Sequence, residues 1–520
     1  MSLRLACVGA GPGGLFLATL VKRGLPDAEV IVLERNRPED TFGFGVVFSD
    51  ATLGAIDAAD PVLREALREH GCRWDSIEVR MRGARERCAG NGMAAVRRTT
   101  LLRLLQQRAR DAGVEMRFEH EVRDLSELSG YDLVVLADGA NSRLRDEHSA
   151  AFGPTAEVAR AKFVWFGTTY PFQGLTFVHE GDENGVFAAH AYPIGDGLST
   201  FIVETDEETW RRSGLDAFDV TAPPGPSDEA TQRYLERLFG DQIEGHPLVA
   251  NNSRWASFRT RRARAWRDGA LVLLGDAAHT AHFSVGSGTK MAMEDAVALA
   301  AALTQQDDLE QALSDYEMLR RPSVEKIQGS ARPSLSWWEN FGRYHDAFEP
   351  VQFTFHFLSR SIGRAKLAQR DPEFVARVEA WWQEHHGAEP LHTPFEVGTT
   401  RLPGRRVDVR PGGNGAPREL AAGAGSAHDV RLTAVAAPAE ESGLPAAVET
   451  LGKALNDGAA LIAVHGGTPL TRVLLAEEAR LVRRAPVLLV GDYDDDAATT
   501  LLLSGRTDLV AADRAARSVA

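Results

Sequence analysis

Cysteine is scarce in this sequence: Cys7, Cys72 and Cys88 are the only three in 520 residues. Their spacing matches no metal-ligand pattern and offers no disulfide framework, so each reads as a packing or surface position and no metal site is expected. An excess of positive charge is missing too. Lys+Arg number 58 against 73 Asp+Glu, a formal net charge of -15, and no nucleic-acid partner is expected of so acidic a chain. Long apolar runs are absent: none approaches the ~20 residues that span a bilayer. The N-terminal apolar run leads straight into a motif and lacks the n-region and h-region of a secretory signal. The expectation is a soluble, cytoplasmic protein with no membrane partner.

What is present is an ordinary globular balance, 44% hydrophobic and 25% charged, over a length that calls for two or three domains. The first motif comes at once. Leu5 to Val8 is a short buried-strand pattern, and Gly9-x-Gly11-x-x-Gly14 opens an apolar helix near Pro12. A second strand, "EVIVLER", carries Glu34, 20 residues past Gly14. Such glycines alone are a weak signal, but strand, glycines, helix and acidic residue together describe a dinucleotide site. Gly9 permits the tight turn, Gly11 lets backbone N–H groups approach a pyrophosphate, and Gly14 lets helix and strand pack closely. The helix N-terminus favours the phosphate charge. Glu34 suits a ribose 2′-OH and repels a 2′-phosphate, and Arg35 beside it is assigned to the same ligand. The alternative is a tight turn without a ligand.

Two further strand ends carry aspartate. "YDLVVLADGANSRLR" ends in Asp138-Gly139 with Ser142 and Arg145 following, and "LVLLGDAAHTAHFSVGSGTKMAMEDA" places Asp276 before a glycine-rich helix entry. No second GxGxxG follows a strand, so no separate nicotinamide-binding domain is visible.

Taken in this order and at these separations, the three motifs resemble the single-component FAD-dependent aromatic hydroxylases, the para-hydroxybenzoate hydroxylase class, over residues 1 to about 330. The resemblance implies that FAD is the cofactor, that NADH or NADPH is the co-substrate with O2, that Asp138-Gly139 serves both nucleotides, and that Asp276 bonds the ribityl chain. It also implies that Arg98, at the head of the helix "RRTTLLRLLQQRARDAG", reaches the FAD pyrophosphate; the alternative is a solvated arginine. Phe42-Gly43-Phe44-Gly45-Val46 is assigned to the flavin edge. Backbone N–H groups from Val285 to Thr289 are assigned to negative charge on the flavin, with Gly286 and Gly288 permitting close approach.

A narrower likeness joins "FGFGVVFSDATLGAI", "GVFAAHAYPIGDGLSTFIVETDEETWRRSGLD" and "SLSWWENFGRYHDAFEPVQFTFHFLSRS". These are similar to salicylyl-CoA 5-hydroxylases and to the hydroxylase half of anthraniloyl-CoA monooxygenases, which implies an aryl-CoA substrate. In the second of them, alternation with period two about Gly195-Asp196-Gly197 predicts a β-hairpin that puts His190 and Tyr192 on one face. His190, Tyr192 and His282 are the candidates to assist phenol deprotonation; a structural hydrogen-bonding role is the alternative for each. His279 is expected to fix its loop. The basic run "RWASFRTRRARAW" supplies Arg262 and Arg264 as candidates for the CoA phosphates, a solvated face being the alternative.

The end of the chain resembles an Old Yellow Enzyme-type barrel at "HTPFEVGTTRLPGRRV" and again at "VLLVGDYDDDAATTLLLSGRTDLVAADR". A full (β/α)8 barrel needs about 250 residues, and only 130 follow residue 390. A degenerate remnant without FMN is therefore expected. The fold class is α/β. A Rossmann-like FAD-binding domain (1–160 and 255–330) is interleaved with a β-sheet substrate domain (161–254). A helical segment (331–390), a linker (391–427, Gly/Pro/Ala-rich from 411) and a small α/β domain (428–520) follow, with a homodimer as a possible assembly.

Overall fold

The computed structural model describes residues 3–41, 43–49, 53–219, 227–286, 288–411, 417–420, 430 and 432–512. Phe42, Ser287 and most of the stretch 411–427 named above lie outside the described residues. The chain forms two compact units, one of residues 1–78 and 91–339, the other of residues 79–90 and 340–520.

The first unit begins with β1 (Arg4–Val8), α1 (Pro12–Gly24) and β2 (Glu29–Leu33). β3 (Gly45–Ser49) pairs antiparallel with β4 (Met93–Arg97), which runs straight into α2 (Arg98–Ala112), and β5 (Glu115–Arg117) and β6 (Leu133–Leu136) complete the first pass. β1, β2, β5 and β6 are parallel neighbours with almost wholly apolar strand centres, because a parallel sheet is covered on both faces.

After the short α3 (Arg143–Glu147) the chain leaves for a different architecture. β7 (Pro154–Thr168), β8 (Leu175–Asp182), β9 (Gly185–Gly195) and β10 (Leu198–Thr205) are antiparallel, and α4 (Glu229–Leu238), β11 (Leu248–Ala250) and β12 (Ala256–Ala263) follow. The strand order is β11-β7-β10-β9-β8, with β12 also paired to β7. The chain then returns with β13 (Arg267–Asp268) and β14 (Leu271–Leu273), and β14 inserts beside β6. This return is why the FAD-type sheet is interleaved. α5 (Gly288–Gln305) and α6 (Leu309–Trp338) close the unit, and the expected boundary at 330/331 falls inside α6.

The antiparallel sheet has two unlike faces. Alternation turns Val164, Phe166, Val178, Ala189, Phe201 and Val203 to one side, where they form a core with Leu235 of α4 and Phe239 just beyond it. The other side carries His190, Tyr192 and Glu204. The hairpin turn between β9 and β10 has Asp196 at φ +52° and Gly197 at φ +69°, the paired positive values that a two-residue primed turn demands.

In the second unit, α7 (Pro350–Leu358) belongs to a helical stretch, and an open parallel sheet follows it. Its strands are β15 (Arg406–Val407), β16 (Leu432–Ala436), β17 (Leu461–His465), β18 (Val487–Val490) and β19 (Leu509–Ala511), in the order β15-β19-β18-β17-β16. α8 (Leu444–Asn456), α9 (Pro469–Glu477) and α10 (Asp495–Leu503) are the crossovers.

Candidate active site

The glycine loop divides its glycines between fold and approach. Gly9 sits at φ +112°, and a Cβ there would run into the Ala137 carbonyl; a Cβ at Gly14 would run into the Gly9 carbonyl and lie 3.0 Å from Cys7 Sγ. At Gly11 nothing lies within 4 Å of where a Cβ would be, and Pro12 starts α1 at a position whose N–H is not needed. Gly11 thus leaves the helix N-terminus open to an anion. Glu34 braces this loop: Oε2 accepts from Ala10 N–H at 2.8 Å and Oε1 accepts from both N–H groups of Asn36 at 2.8 Å. Arg35 is exposed beside it, close enough for its charge to act on Asp138.

Arg98 begins α2, and its backbone N–H donates to the Phe44 carbonyl at 2.9 Å. Burial pushes its guanidinium below the ordinary arginine value, while Tyr192 and Asp276 pull it back. Burial likewise raises the Asp138 carboxyl, opposed by Ser142, Arg145 and Arg35. Asp276 is exposed beyond the end of β14, yet the protein around it makes burial the main cause of its raised carboxyl, with His279 and Arg98 opposing. Arg98 and Asp276 therefore face each other electrostatically, one from α2 and one from the end of β14.

The rest of the Asp138 motif is structural. Ser142 Oγ caps α3 by accepting from Arg145 N–H at 3.1 Å. The buried Arg145 side chain donates to the Ala140 carbonyl at 3.2 Å and to the Ala277 carbonyl at 3.0 Å, tying the Asp138 loop to the Asp276 loop. Behind Asp276, Asp295 accepts from Gly275 N–H at 3.1 Å, from Arg320 Nε at 2.8 Å, and meets His279 Nε2. Neither Asp295 nor Arg320 was found by sequence reasoning. The available signal was the pair Glu294-Asp295 inside an apolar helix.

The polar face of the antiparallel sheet supplies the other side. His190 stands opposite Ile202 and Tyr192 opposite Thr200, so the two share a face, as the alternation predicts. Burial pushes the Tyr192 hydroxyl up to about 12, with Thr200 and Arg98 opposing, and it donates to the Gly45 carbonyl at 3.4 Å. His190 is packed among Trp338, Phe177 and Phe283, with ring centroids 4.2, 5.0 and 5.7 Å away. Its Nε2 lies 2.9 Å from Glu204 Oε1, and His282 Nε2 lies 3.9 Å from Glu204 Oε2. Glu204 is thus between the two candidate histidines, and it was not singled out from sequence.

The loop after His282 is tighter than expected. Gly286, at φ +61°, closes a single 3-10 turn, and its N–H donates to the Phe283 carbonyl at 2.9 Å. That N–H is therefore engaged within the loop, and the close approach assigned to Gly286 and Gly288 rests on their missing side chains. Gly288 stands at the head of α5, where a Cβ would meet nothing within 4 Å. Val46 is buried in β3 and paired with Val96. Arg262 and Arg264 are both exposed, but the structure does not bring them together. Arg262 donates to Gln328 Oε1 at 3.0 Å and pairs with Glu157, whereas Arg264 lies beyond β12 and donates to the Ala150 carbonyl at 3.1 Å. Their shared orientation required an extended chain through both, and the strand ends at Ala263.

These residues fit FAD. Arg98 Nε, a donor that faces Asp276, and Asp138 Oδ1, an acceptor next to the Gly9 turn, are buried without a hydrogen-bond partner. A buried polar atom left without a partner costs about 1–3 kcal/mol, so such groups await a ligand with phosphates and hydroxyls. Arg98, Asp138, Asp276 and the Gly9–Gly14 loop are the groups that would hold it. Among the described residues no three His, Cys, Asp or Glu side chains are placed to hold a metal ion, and no helix is long and apolar enough to cross a membrane.

Comparison with known proteins agrees with this geometry. A family described as FAD binding domain matches residues 3–330. A salicyloyl-CoA 5-hydroxylase from a Streptomyces species is 63% identical over 514 residues, 98% of this chain and 99% of its own length. A 3-hydroxy-4-methyl-anthranilyl-[aryl-carrier protein] 5-monooxygenase from Streptosporangium sibiricum is 37% identical, covering 65% of this chain and 89% of its own. The crystal structure of a p-nitrophenol 4-monooxygenase from Pseudomonas putida shares the fold at a TM-score of 0.56 and 17% identity, over 74% of this chain and 98% of its own. The Old Yellow Enzyme likeness of the C-terminal segment gains no support from these matches. The chain is an FAD-dependent aromatic hydroxylase and belongs to the family of FAD-binding monooxygenases.

Proposed function

We propose that this enzyme hydroxylates an aryl-CoA thioester, salicyloyl-CoA to gentisyl-CoA, with NADH or NADPH and O2. The observation that carries the reading is 63% identity spread over nearly the whole of both chains, the C-terminal segment included. FAD held there would supply the electron transfer from the nicotinamide and the oxygen insertion into the ring. The chain's own residues hold and orient. Arg98 and the head of α1 take the pyrophosphate, Asp276 takes the ribityl hydroxyls, and Gly288 brings the head of α5 to the ring system.

On the substrate side, His190 receives the proton of the substrate's hydroxyl. His282 and Tyr192 line the same region, and the aromatic packing around His190 keeps water out. Deprotonation raises electron density para to the hydroxyl, where the new oxygen enters. Arg262 and Arg264, both exposed, are assigned to the phosphates of CoA. The open C-terminal sheet is read as a barrel remnant without FMN: its first strand, β15, lies beside its last, β19, as the first and last strands of a closed parallel barrel do.

The anthranilyl relative favours a second reading, in which the ring is that of 2-aminobenzoyl-CoA. NADH-dependent O2 uptake and product formation with free salicylate, salicyloyl-CoA and 2-aminobenzoyl-CoA decide between them. Hydroxylated product from salicyloyl-CoA alone is the expected result. Product only from 2-aminobenzoyl-CoA replaces the first reading with the second, and product from neither overturns both.

A further inference from the structure

His190 and His282 come from elements far apart in the chain, β9 and the loop after Asp276. They converge on one carboxylate, Glu204 of β10, which is 1% exposed. His190 Nε2 is 2.9 Å from Oε1 and His282 Nε2 is 3.9 Å from Oε2; both are ion-pair contacts, and neither has hydrogen-bond geometry. The other nitrogen of His282 is accounted for. Nδ1 accepts from the Ser284 backbone N–H at 3.4 Å and lies 2.8 Å from Ser284 Oγ, which is itself 2.8 Å from Ser334 Oγ on α6. A nitrogen that accepts from a backbone N–H carries no proton, so neutral His282 is protonated at Nε2, facing Glu204.

We propose that Glu204 is a positioning residue for the hydroxylation. Shared by the two rings, it holds each with its proton on Nε2 and stabilises the positive charge that forms when His190 takes up the substrate's hydroxyl proton at Nδ1. The inference rests on the proposed aryl-CoA hydroxylation for its substrate, but the tautomers can be read without turnover. The proton moves from the substrate hydroxyl to His190 Nδ1, leaving a phenolate and an imidazolium paired with the Glu204 carboxylate. No electrons move in this step. His282, whose Nδ1 is turned to Ser284, is held ready to donate to the same carboxylate. An acid–base ring oriented by a buried carboxylate transfers protons near neutral pH, because the carboxylate fixes the tautomer and balances the charge.

Among the described residues, further groups lie on or against the same sheet face. On the same sheet face His179 of β8 stacks with Trp338, 6.3 Å between ring centroids, and Tyr192 lies beyond His190 with Arg98. α6 brings the Ser334 hydroxyl and the indoles of Trp337 and Trp338. Lys162 of β7 is on the opposite face, donating to Ser257 Oγ at 3.1 Å and pairing with Glu207. Phe163 is paired with Glu204 across β7 and β10 and packs on Phe283, and Phe258 packs on His282.

The test uses the FAD-loaded enzyme and two variants, Glu204→Gln and Glu204→Asp. Long-range nitrogen–proton spectra of histidine-labelled protein read the tautomers in the absence of substrate. Both His190 and His282 are expected as Nε2–H in the wild type, with His190 becoming a tautomer mixture in Glu204→Gln. Under turnover with salicyloyl-CoA, Glu204→Gln is expected to keep its FAD and its KM within about threefold. Its kcat at pH 7 should fall at least tenfold and climb with pH as the free substrate's own hydroxyl ionises. Glu204→Asp should recover much of the wild-type pH profile. A wild-type pH profile in Glu204→Gln, or a wild type with Nδ1–H at either ring, overturns the role of Glu204. An inactive wild type with the expected tautomers overturns the substrate reading and leaves the tautomer assignment standing.

Discussion

His279 Nε2 lies 2.7 Å from Asp295 Oδ2, and both groups are buried where the Gly275–Asp276 loop meets α5. This contact joins the Asp276 loop to α5, while Arg320 fixes the same carboxylate from α6. Burial alone would raise Asp295, but His279 and Arg320 hold it below the usual carboxylate value. Its contribution is therefore complete above the ordinary Asp range and is lost as pH falls through a lower folded value. FAD retention should hold steady from pH 5 to 8 and collapse below about 4. Asp295→Asn should lower FAD retention at every pH, because it removes the carboxylate that joins His279 to Arg320 and leaves Arg320 with Glu294 as its remaining ion-pair partner. Flavin absorbance per mole of protein, measured against pH, checks both. Wild-type flavin content in Asp295→Asn would remove the clamp from the argument.

The three glycines of the first loop should separate under substitution. Gly9→Ala and Gly14→Ala force a Cβ into backbone carbonyls and should lower the melting temperature of the flavin-free protein as well as abolish binding. Gly11→Ala meets open space and should leave that melting temperature within about 2 °C. FAD affinity should still fall at least tenfold, since the new methyl group stands where backbone N–H groups meet a pyrophosphate. Thermal melts of the apoprotein and flavin titration give the two readouts.

In the second unit Glu477 accepts from the Tyr344 hydroxyl at 2.5 Å and contacts Arg343 at 3.1 Å and His356 at 3.1 Å, all of them buried or nearly so. Burial would raise it, but His356, Arg343 and Arg506 hold it at about 2; burial, with Arg506, holds His356 at about 3. Both shifts make the unfolded chain bind more protons in acid. Stability should therefore fall as pH drops from about 6.5 toward 3, first through His356 and then through Glu477. Urea unfolding of this unit, followed at several pH values, should show that slope. Glu477→Ala should destabilise it by about 3–5 kcal/mol and flatten the slope. A slope unchanged by the substitution would mean that other groups carry the acid sensitivity.

Replacing Arg262 and Arg264 together with alanine should raise KM for salicyloyl-CoA and make it less sensitive to salt, because exposed charges act through screened fields. FAD content should not move. Since Arg262 and Arg264 have different partners, each single variant should show part of the effect. An unchanged KM across salt concentrations would return both to the role of surface contacts, Arg264 as a donor to the Ala150 carbonyl.

The glycine spacing, the two strand-end aspartates and the hairpin turn were legible in the sequence because each is local. A tight βα turn, a strand exit and a primed turn are set by residues a few positions apart. The family resemblance followed from the same short stretches. Glu204 was not legible, for a reason that can be stated. Counting back from the two-residue turn alone pairs His190 with Val203 and sends Glu204 to the opposite face. An irregularity between Pro193 and Gly195 shifts the register by one residue, so that His190 meets Ile202 and Glu204 joins the histidines. Packing decides that shift: only in this register do Phe201 and Val203 reach the apolar core with Val164, Phe166 and α4. Asp295, Arg320 and the Ala277 carbonyl that receives Arg145 are likewise partners across more than 15 residues of chain, and their pairing exists only once α5, α6 and the strand-end loops are packed. The sequence by itself determined the cofactor, the class of reaction and the loops assigned to the flavin. Tertiary structure decided which buried charges steady those loops and which carboxylate the histidines share, because such pairs form only where desolvation is offset by a partner that folding brings.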